Sequence, residues 1–252
     1  MTSATAPRDI FLLIGQSNMA GRAAIEPADR IPIPGVWVQD RDGQWQPALD
    51  PLHWDQPDLA GVGLARTFAQ VLLARRTHAT IGLVPAAMGG SALGDWRPGA
   101  PLFREAVNRM RTALGDFGML RGILWHQGET DSRDEALARD YGDRWAEMIV
   151  ALRGELGVPG VPVIVGALGD FVGERDRGEL PGYPFARLVN QQLALLPQRV
   201  VRAAFVPSQG LGHQGDRLHF DRGALIELGR RYAEAWLQLD QSWPTMRIEP
   251  QP

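Results

Sequence analysis

The chain has 252 residues, a formal net charge of −3 at pH 7, and neither cysteine nor lysine. The absence of cysteine excludes a thiolate nucleophile, a disulfide framework and sulfur-based metal sites, and the absence of lysine excludes a Schiff base and a P-loop lysine. The small charge gives no electrostatic reason to expect binding to nucleic acid or to an anionic membrane. A covalent catalyst of this composition must use an oxygen nucleophile or a histidine.

Hydrophobic residues make up 44% of the chain, which is enough for a buried core. The longest apolar runs are too short to span a bilayer. Residues 1–9 lack the basic start and apolar core of a signal peptide. The sequence as given therefore predicts a cytoplasmic protein, or a periplasmic or secreted one if a leader has been removed.

Short apolar runs alternate with amphipathic helical stretches along the chain. The predicted strands span residues 9–14, 79–84, 120–125, 161–167 and 200–205. The predicted helices span residues 64–75, 102–114, 135–152, 184–196 and 222–239. Apolar strands that alternate with helices favour a parallel sheet covered on both faces. We expect a single domain over residues 1–252, an α/β fold arranged as a three-layer α/β/α sandwich with a mainly parallel, five-stranded sheet.

Two polar regions interrupt this alternation. Residues 21–62 are rich in proline, aspartate and tryptophan and include a predicted hairpin at 36–45, whereas residues 169–183 are polar and rich in glycine. Ligands of open α/β sheets bind beyond the carboxyl ends of the strands. Both regions are therefore either candidate substrate walls or ordinary surface loops.

Four polar or glycine-rich turns lie beyond the predicted strands. Ser17 follows Gly15 after the first strand, paired glycines occur in residues 88–91, and residues 126–131 read HQGETD. Near the end of the chain, Asp216 and His219 are three residues apart, a spacing that can place a carboxylate against an imidazole. Each motif alone also has a structural interpretation, as a turn, a helix cap or a packed polar residue. Together they indicate a nucleophile, a base and backbone donors at one edge of the sheet, as acyl transfer requires.

The motifs resemble those of the SGNH-type hydrolases, which share a flavodoxin-like fold. Within that group the chain is similar to the sialate O-acetylesterase-like and acetylxylan-esterase-like branch, carbohydrate esterase family six. Four blocks carry the resemblance in family order: IFLLIGQSNMAGR at 10–22, IGLVPAAMGGSALGDW at 81–96, GILWHQGETD at 122–131 and DRLHFDRGALIELGRRYAEAW at 216–236. They extend over most of the chain.

The resemblance implies a serine esterase that removes short acyl groups, acetyl above all, from a carbohydrate. Ser17 would be the nucleophile and His219 the general base, with Asp216 as the first choice for the triad acid and Glu129 as the alternative acid or an orienting residue. The oxyanion hole would use the backbone N–H groups of Ser17 and Gly90 and the side chain of Gln127.

Further residues are candidates for contact with the substrate. They are Gln16, Asn18, His126 and Trp96, and sugar stacking is also considered for Trp54, Phe171 and Tyr183. The expected partner is an acetylated carbohydrate or a small acetyl ester, without a cofactor, nucleic acid or membrane. The sequence leaves the oligomeric state open.

Two alternatives compete with this hypothesis. His213, Asp216 and His219 have a spacing typical of metal ligands, to which His126 and Glu129 could add, and would make the protein a metal-dependent hydrolase. The other alternative is a carbohydrate-binding protein that keeps the fold without turnover.

Overall fold

A seven-stranded sheet forms the centre of the protein, in a computed structural model that describes residues 7–76, 79–115, 118–174 and 182–241. The strands are β1 (Asp9–Gly15), β2 (Val36–Gln39), β3 (Trp45–Pro47), β4 (Ile81–Pro85), β5 (Met119–His126), β6 (Val163–Gly166) and β7 (Ala203–Val206). Their order is β3-β2-β4-β1-β5-β6-β7. All neighbouring strands are parallel except β2 and β3.

The helices lie between strands of the sheet or, for α7, after β7, and they form the outer layers. They are α1 (Ser17–Ala20), α2 (Ala65–Arg75), α3 (Pro101–Leu114), α4 (Glu135–Arg139), α5 (Tyr141–Glu155), α6 (Ala186–Arg199) and α7 (Arg222–Gln241). The helix predicted at 135–152 is divided into α4 and α5 at Asp140. At the start of α4, the Asp134 carboxylate accepts a hydrogen bond from the Leu137 N–H, which caps this short helix.

The α/β sandwich is confirmed, but the prediction of five strands is wrong. All five predicted strands are present, and the hairpin predicted at 36–45 supplies two more as β2 and β3. What the sequence did not indicate is that β2 extends the sheet by pairing in parallel with β4, with Val36 opposite Ile81.

Side chains of the central strands point alternately to the two helical layers. Phe11 of β1 contacts Phe68 of α2 and Trp236 of α7, with ring centroids 4.9 and 5.3 Å away. Trp125 of β5 points to the other layer, where it meets Trp145 of α5 at 6.4 Å. Because both faces of the strands are buried, their sequences are continuously apolar.

The carboxyl ends of β1, β4, β5 and β7 open toward one edge of the sheet, where the polar turns found in the sequence follow them. Among the described helices, none is both long enough and apolar enough to cross a membrane.

Candidate active site

Ser17 occupies the sharp turn between β1 and α1. Gly15 has a φ of +131°, and a Cβ atom there would lie 2.2 Å from the carbonyl oxygen of His126, so only glycine allows β1 and β5 to approach so closely. The Gln16 N–H donates to that same carbonyl at 2.9 Å. Ser17 then begins α1 as its first residue, at the carboxyl edge of the sheet.

A chain of hydrogen bonds joins Ser17 to a histidine and a carboxylate from the far end of the sequence. His219 Nε2 lies 3.0 Å from Ser17 Oγ, and His219 Nδ1 lies 2.6 Å from Asp216 Oδ2. The other oxygen of Asp216 accepts the backbone N–H groups of Leu218 and His219, each at 2.9 Å. One carboxylate thus fixes both the backbone and the ring of His219.

The two candidate acids have different environments. Partial burial raises the pKa of Asp216, but hydrogen bonds from the backbone and ring of His219 outweigh it, and the pKa lies below its usual value. Glu129 is fully buried, and burial raises its pKa to about 7 although it accepts a hydrogen bond from Asn18. The carboxylate that is hydrogen-bonded to the His219 ring is thus Asp216, whereas the carboxyl of Glu129 is hydrogen-bonded to Asn18.

A cleft of about 450 Å³ opens over this chain of residues. It is lined by Gln16, Ser17, Arg22, Gln56, Leu59, Gly90, Thr130, Arg133, Tyr183, Gln214, Asp216, Leu218 and His219. The lining combines two apolar side chains, Leu218 and the exposed Leu59, with many hydrogen-bonding groups. A pocket of this size and polarity can hold a small polar molecule such as a sugar.

The glycine-rich turn after β4 brings Gly90 to the cleft. Gly90 has a φ of +77°, a conformation that favours glycine, and its N–H has no acceptor within the described part of the chain. The preceding Gly89 N–H donates to Asp55 Oδ2 at 2.7 Å, and Asp55 forms a buried ion pair with Arg22 at 2.5 Å. The ion pair thus holds the turn at Gly89, and the Gly90 N–H stays unpaired within the described residues.

The expected oxyanion role of Gln127 is not matched by its position. Its side chain is fully buried, and its two N–H groups donate to the Ser91 carbonyl at 3.0 Å and to Asp131 at 2.8 Å. Its amide oxygen accepts from the Tyr141 hydroxyl at 2.7 Å. Since each polar atom of this amide is occupied beneath the cleft, Gln127 has no donor for a substrate in this arrangement.

His126 and Trp96 also lie away from the cleft, contrary to the expected substrate contacts. The His126 ring is fully buried with Nδ1 3.0 Å from the Tyr232 hydroxyl, and burial lowers its pKa to about 3. Trp96 is buried as well, donates to Ser91 Oγ at 3.0 Å and packs edge-on against Trp125. Both side chains belong to the protein interior.

The remaining candidates divide between the cleft and its support. Gln16 lines the cleft, and its amide oxygen accepts the Gly128 N–H at 3.3 Å. Asn18 is buried directly behind Ser17. Of the other aromatic residues, only Tyr183 lines this cleft; Phe171 packs against Phe220, and Trp54 stacks under Arg109.

Within the described residues, no group of three or more His, Asp or Glu side chains is placed to hold a metal ion. His213 Nδ1 instead accepts the backbone N–H groups of Gly215 and Arg217, at 3.0 and 3.2 Å. The hypothesis of a metal-dependent hydrolase built on His213, Asp216 and His219 thus finds no ligand geometry here.

Two arginines in the cleft were missed by the sequence analysis. Arg22 ends the first motif block, but nothing in its spacing indicates the ion pair with Asp55. Arg133 lies over the Tyr183 ring, with its guanidinium carbon 4.8 Å from the ring centroid, and donates to the Tyr183 hydroxyl at 2.7 Å. The two residues are 50 positions apart in the chain, so only the fold brings them together.

Comparisons with known proteins identify the family of this chain. The family model for carbohydrate esterase, sialic acid-specific acetylesterase, matches residues 7–238. The probable carbohydrate esterase At4g34215 of Arabidopsis thaliana is 32% identical over 249 residues, covering 92% of this chain and 91% of the relative. The X-ray structure of that plant protein has a TM-score of 0.82 at 31% identity, covering 92% of this chain and 98% of that one.

Two more distant structures share the fold. NanS is 19% identical with a TM-score of 0.75, covering 94% of this chain and 99% of its own. XAC1771, a carbohydrate acetylesterase from Xanthomonas citri, is 23% identical with a TM-score of 0.70, covering 93% of this chain and 57% of its own. From the family match over nearly the whole described chain, this protein belongs to the carbohydrate esterase family and is a carboxylic ester hydrolase.

Proposed function

We propose that this chain is a serine esterase that removes O-acetyl groups from a carbohydrate through an acyl-enzyme on Ser17. The observation that carries the proposal is the continuous chain of hydrogen bonds from Ser17 Oγ through the His219 ring to Asp216, at the wall of an open cleft. A nucleophile, a base and an orienting acid in this geometry are the requirements for acyl transfer.

In the first half of the reaction, Ser17 Oγ attacks the ester carbonyl carbon while its proton passes to His219 Nε2. Asp216 supports this transfer because its lowered pKa keeps it ionised at neutral pH, so that it holds the proton on Nδ1 and stabilises the imidazolium. The tetrahedral intermediate then breaks its bond to the sugar oxygen, which takes the proton from Nε2 and leaves as an alcohol.

The developing oxyanion needs donors that are in place before the reaction. We assign this role to the backbone N–H groups of Ser17 and Gly90, both of which lie at the cleft. One such donor is worth about 10²–10³ in rate in other enzymes. Gln127 has no part in this hole, because its amide is occupied.

In the second half, a water molecule attacks the acyl carbon and gives its proton to His219 Nε2. The new tetrahedral intermediate breaks its bond to Ser17 Oγ, which takes the proton back from Nε2, and acetic acid leaves and ionises to acetate in solution. These steps use the triad, the backbone donors and water.

The position of Arg133 favours a substrate that carries a negative charge beside its acetyl group. Its guanidinium lies at the cleft with no carboxylate partner among the described residues, and it is oriented by the Tyr183 ring and hydroxyl. Arginine held flat on an aromatic ring can bind a carboxylate through two parallel hydrogen bonds. An acetylated acidic sugar, such as an O-acetyl sialic acid, is therefore preferred over a neutral acetylated glycan such as acetylxylan.

The test is acetate release from O-acetyl sialic acid, acetylated xylan and p-nitrophenyl acetate, with Ser17→Ala as the blank. Wild type is expected to release acetate and Ser17→Ala to lose it, with an unchanged thermal unfolding curve. Sugar binding without acetate release by wild type would favour the non-catalytic alternative. Full activity of Ser17→Ala would exclude the serine mechanism.

A further inference from the structure

The His219 segment has little regular structure of its own. Residues 207–220 contain neither a helix nor a strand, yet the imidazole has to stay 3.0 Å from Ser17 Oγ. We propose that Asn18 and Glu129 form a positioning pair that holds the backbone on both sides of His219 and so keeps its ring against Ser17. The inference rests on the proposed serine mechanism and adds two residues to it that never touch the substrate.

Asn18 connects the nucleophile turn to the His219 segment through every polar atom of its side chain. Its Nδ2 donates to the Leu218 carbonyl at 3.1 Å, and its Oδ1 accepts the Phe220 N–H at 3.1 Å. These two bonds fix the residues immediately before and after His219. Because Asn18 follows Ser17 directly in α1, the nucleophile and the base are tied to the same short segment.

Glu129 helps to fix which way the Asn18 amide faces. Its Oε1 accepts the second N–H of Asn18 at 2.6 Å, the shortest of the three contacts of this amide. A flipped amide would place its carbonyl oxygen against two acceptors and its NH₂ group against the Phe220 N–H, which is unfavourable in a buried site. Glu129 therefore adds the shortest contact to those that favour the one orientation in which Asn18 can hold both neighbours of His219.

The contact needs an acceptor oxygen rather than a negative charge. Glu129 is fully buried, and its second oxygen, Oε2, has no hydrogen-bond partner among the described residues. Burial raises the pKa of this carboxyl to about 7, so it is substantially protonated near neutral pH while Oε1 can still accept. A triad acid, by contrast, has to be ionised to stabilise the imidazolium.

Neither residue belongs to the lining of the cleft. Loosening the pair should therefore lower kcat and leave KM nearly unchanged, because the substrate still binds while the base is displaced from Ser17. Misplacement of a reacting group by about 1 Å can reduce a rate roughly 10²-fold.

The experiment compares Glu129→Gln, which keeps an acceptor oxygen but no charge, with Glu129→Met, which keeps the size but no acceptor. We expect Glu129→Met to lower kcat on p-nitrophenyl acetate about 10–100-fold, and Glu129→Gln to restore most of that loss with an unchanged pH profile of kcat/KM. Asn18→Leu, which keeps the size but has neither donor nor acceptor, should lose about 100-fold or more. The exposed Glu147, whose side chain forms no hydrogen bond or ion pair among the described residues, supplies the matched controls Glu147→Gln and Glu147→Met.

Each outcome separates this inference from the proposed function. If wild type is active and Ser17→Ala is not, but Glu129→Met keeps the wild-type kcat, the positioning pair is wrong and the serine mechanism stands. If Glu129→Gln is as inactive as Glu129→Met, the charge rather than the acceptor matters, and Glu129 is an acid of the triad. Thermal unfolding of each variant identifies loss of fold, and titration of Ser17 with a phosphonate inhibitor normalises kcat to the folded fraction.

Discussion

Two polar clusters lie at the same edge of the sheet, and only one of them is open to the cleft. The cleft cluster consists of Ser17, Asp216 and His219, and the side chains of Asp216 and His219 are 33% and 19% exposed. The buried cluster consists of Gln127, Asp131 and Tyr141, all of which are fully buried.

The clusters also differ in how their hydrogen bonds are used. In the buried cluster, Asp131 accepts from Gln127, the Leu93 N–H and Arg144, and Tyr141 donates to Gln127. In the cleft cluster, Ser17 Oγ has one hydrogen-bond contact among the described residues, with His219 Nε2, and Ser17 lines the cleft. Lying next to a nucleophile therefore does not make a polar residue catalytic. A side chain whose hydrogen bonds are all made within the protein has none left for a substrate.

The largest effect on catalysis is expected from a substitution in the cleft cluster. Asp216→Asn keeps the acceptor for the backbone N–H groups of Leu218 and His219 but presents an uncharged side chain to His219 Nδ1. Loss of the correct tautomer and of imidazolium stabilisation should lower kcat/KM about 10³–10⁴-fold. Steady-state kinetics on p-nitrophenyl acetate measure this, and Asp42→Asn in the exposed β2–β3 turn is the matched control. A loss of less than tenfold would remove Asp216 from the triad.

The architecture could be predicted from sequence because each strand of the core is apolar on both faces. Phe11 and Trp125 illustrate this, since one packs on α2 and α7 and the other on α5. The place of β2 beside β4 could not be predicted, because a four-residue strand in a proline-rich region carries no sign of its partner. Pairing of this kind is decided by tertiary contacts rather than by local propensity.

The site was predictable where its geometry is local and unpredictable where it depends on side-chain direction. The turn at Gly15 and the three-residue spacing of Asp216 and His219 are local features. In contrast, His126 and Gln127 follow one another at the end of β5, and composition alone does not indicate that both side chains turn inward. The catalytic roles inferred from these motifs stay predictions until kinetics test them.

The second-largest effect is expected on the free energy of unfolding as a function of pH. It comes from Glu129, which lies beside the buried cluster. Burial, with a smaller contribution from the charge of Asp131, raises the folded-state pKa of Glu129 to about 7 from 4.5. The folded protein thus keeps this proton where the unfolded chain has released it, so its stabilising contribution is complete below pH 4.5 and is lost as the pH rises through 7. A shift of this size corresponds to roughly 3 kcal/mol at most.

Denaturant unfolding of wild type and Glu129→Gln between pH 4 and pH 8 measures this contribution. The free energy of unfolding of wild type should fall relative to that of the variant as the pH rises. A difference that is constant with pH would mean that Glu129 titrates normally and is more solvated than its burial indicates.

Gln127→Met tests whether the buried cluster is structural. The substitution removes the bonds to Ser91, Asp131 and Tyr141 while conserving volume, and should lower the free energy of unfolding by about 1–3 kcal/mol. The folded fraction should keep kcat/KM within about tenfold of wild type. A loss of 10²–10³ in kcat at unchanged stability would mean that Gln127 donates to the oxyanion. The buried cluster would then take part in catalysis as the cleft cluster does.

The smallest effect is expected at the rim of the cleft, from Arg133→Gln. This change removes the charge oriented by Tyr183 while leaving Ser17, Asp216 and His219 untouched. KM for an O-acetylated acidic sugar should rise about tenfold, equivalent to about 1.4 kcal/mol, whereas KM and kcat for the neutral p-nitrophenyl acetate should change little. Arg104→Gln on the exposed face of α3 controls for the loss of one positive charge. An equal rise in KM for charged and neutral substrates would mean that Arg133 shapes the cleft but does not bind a negative charge. The proposed preference for an acidic sugar would then lose its support.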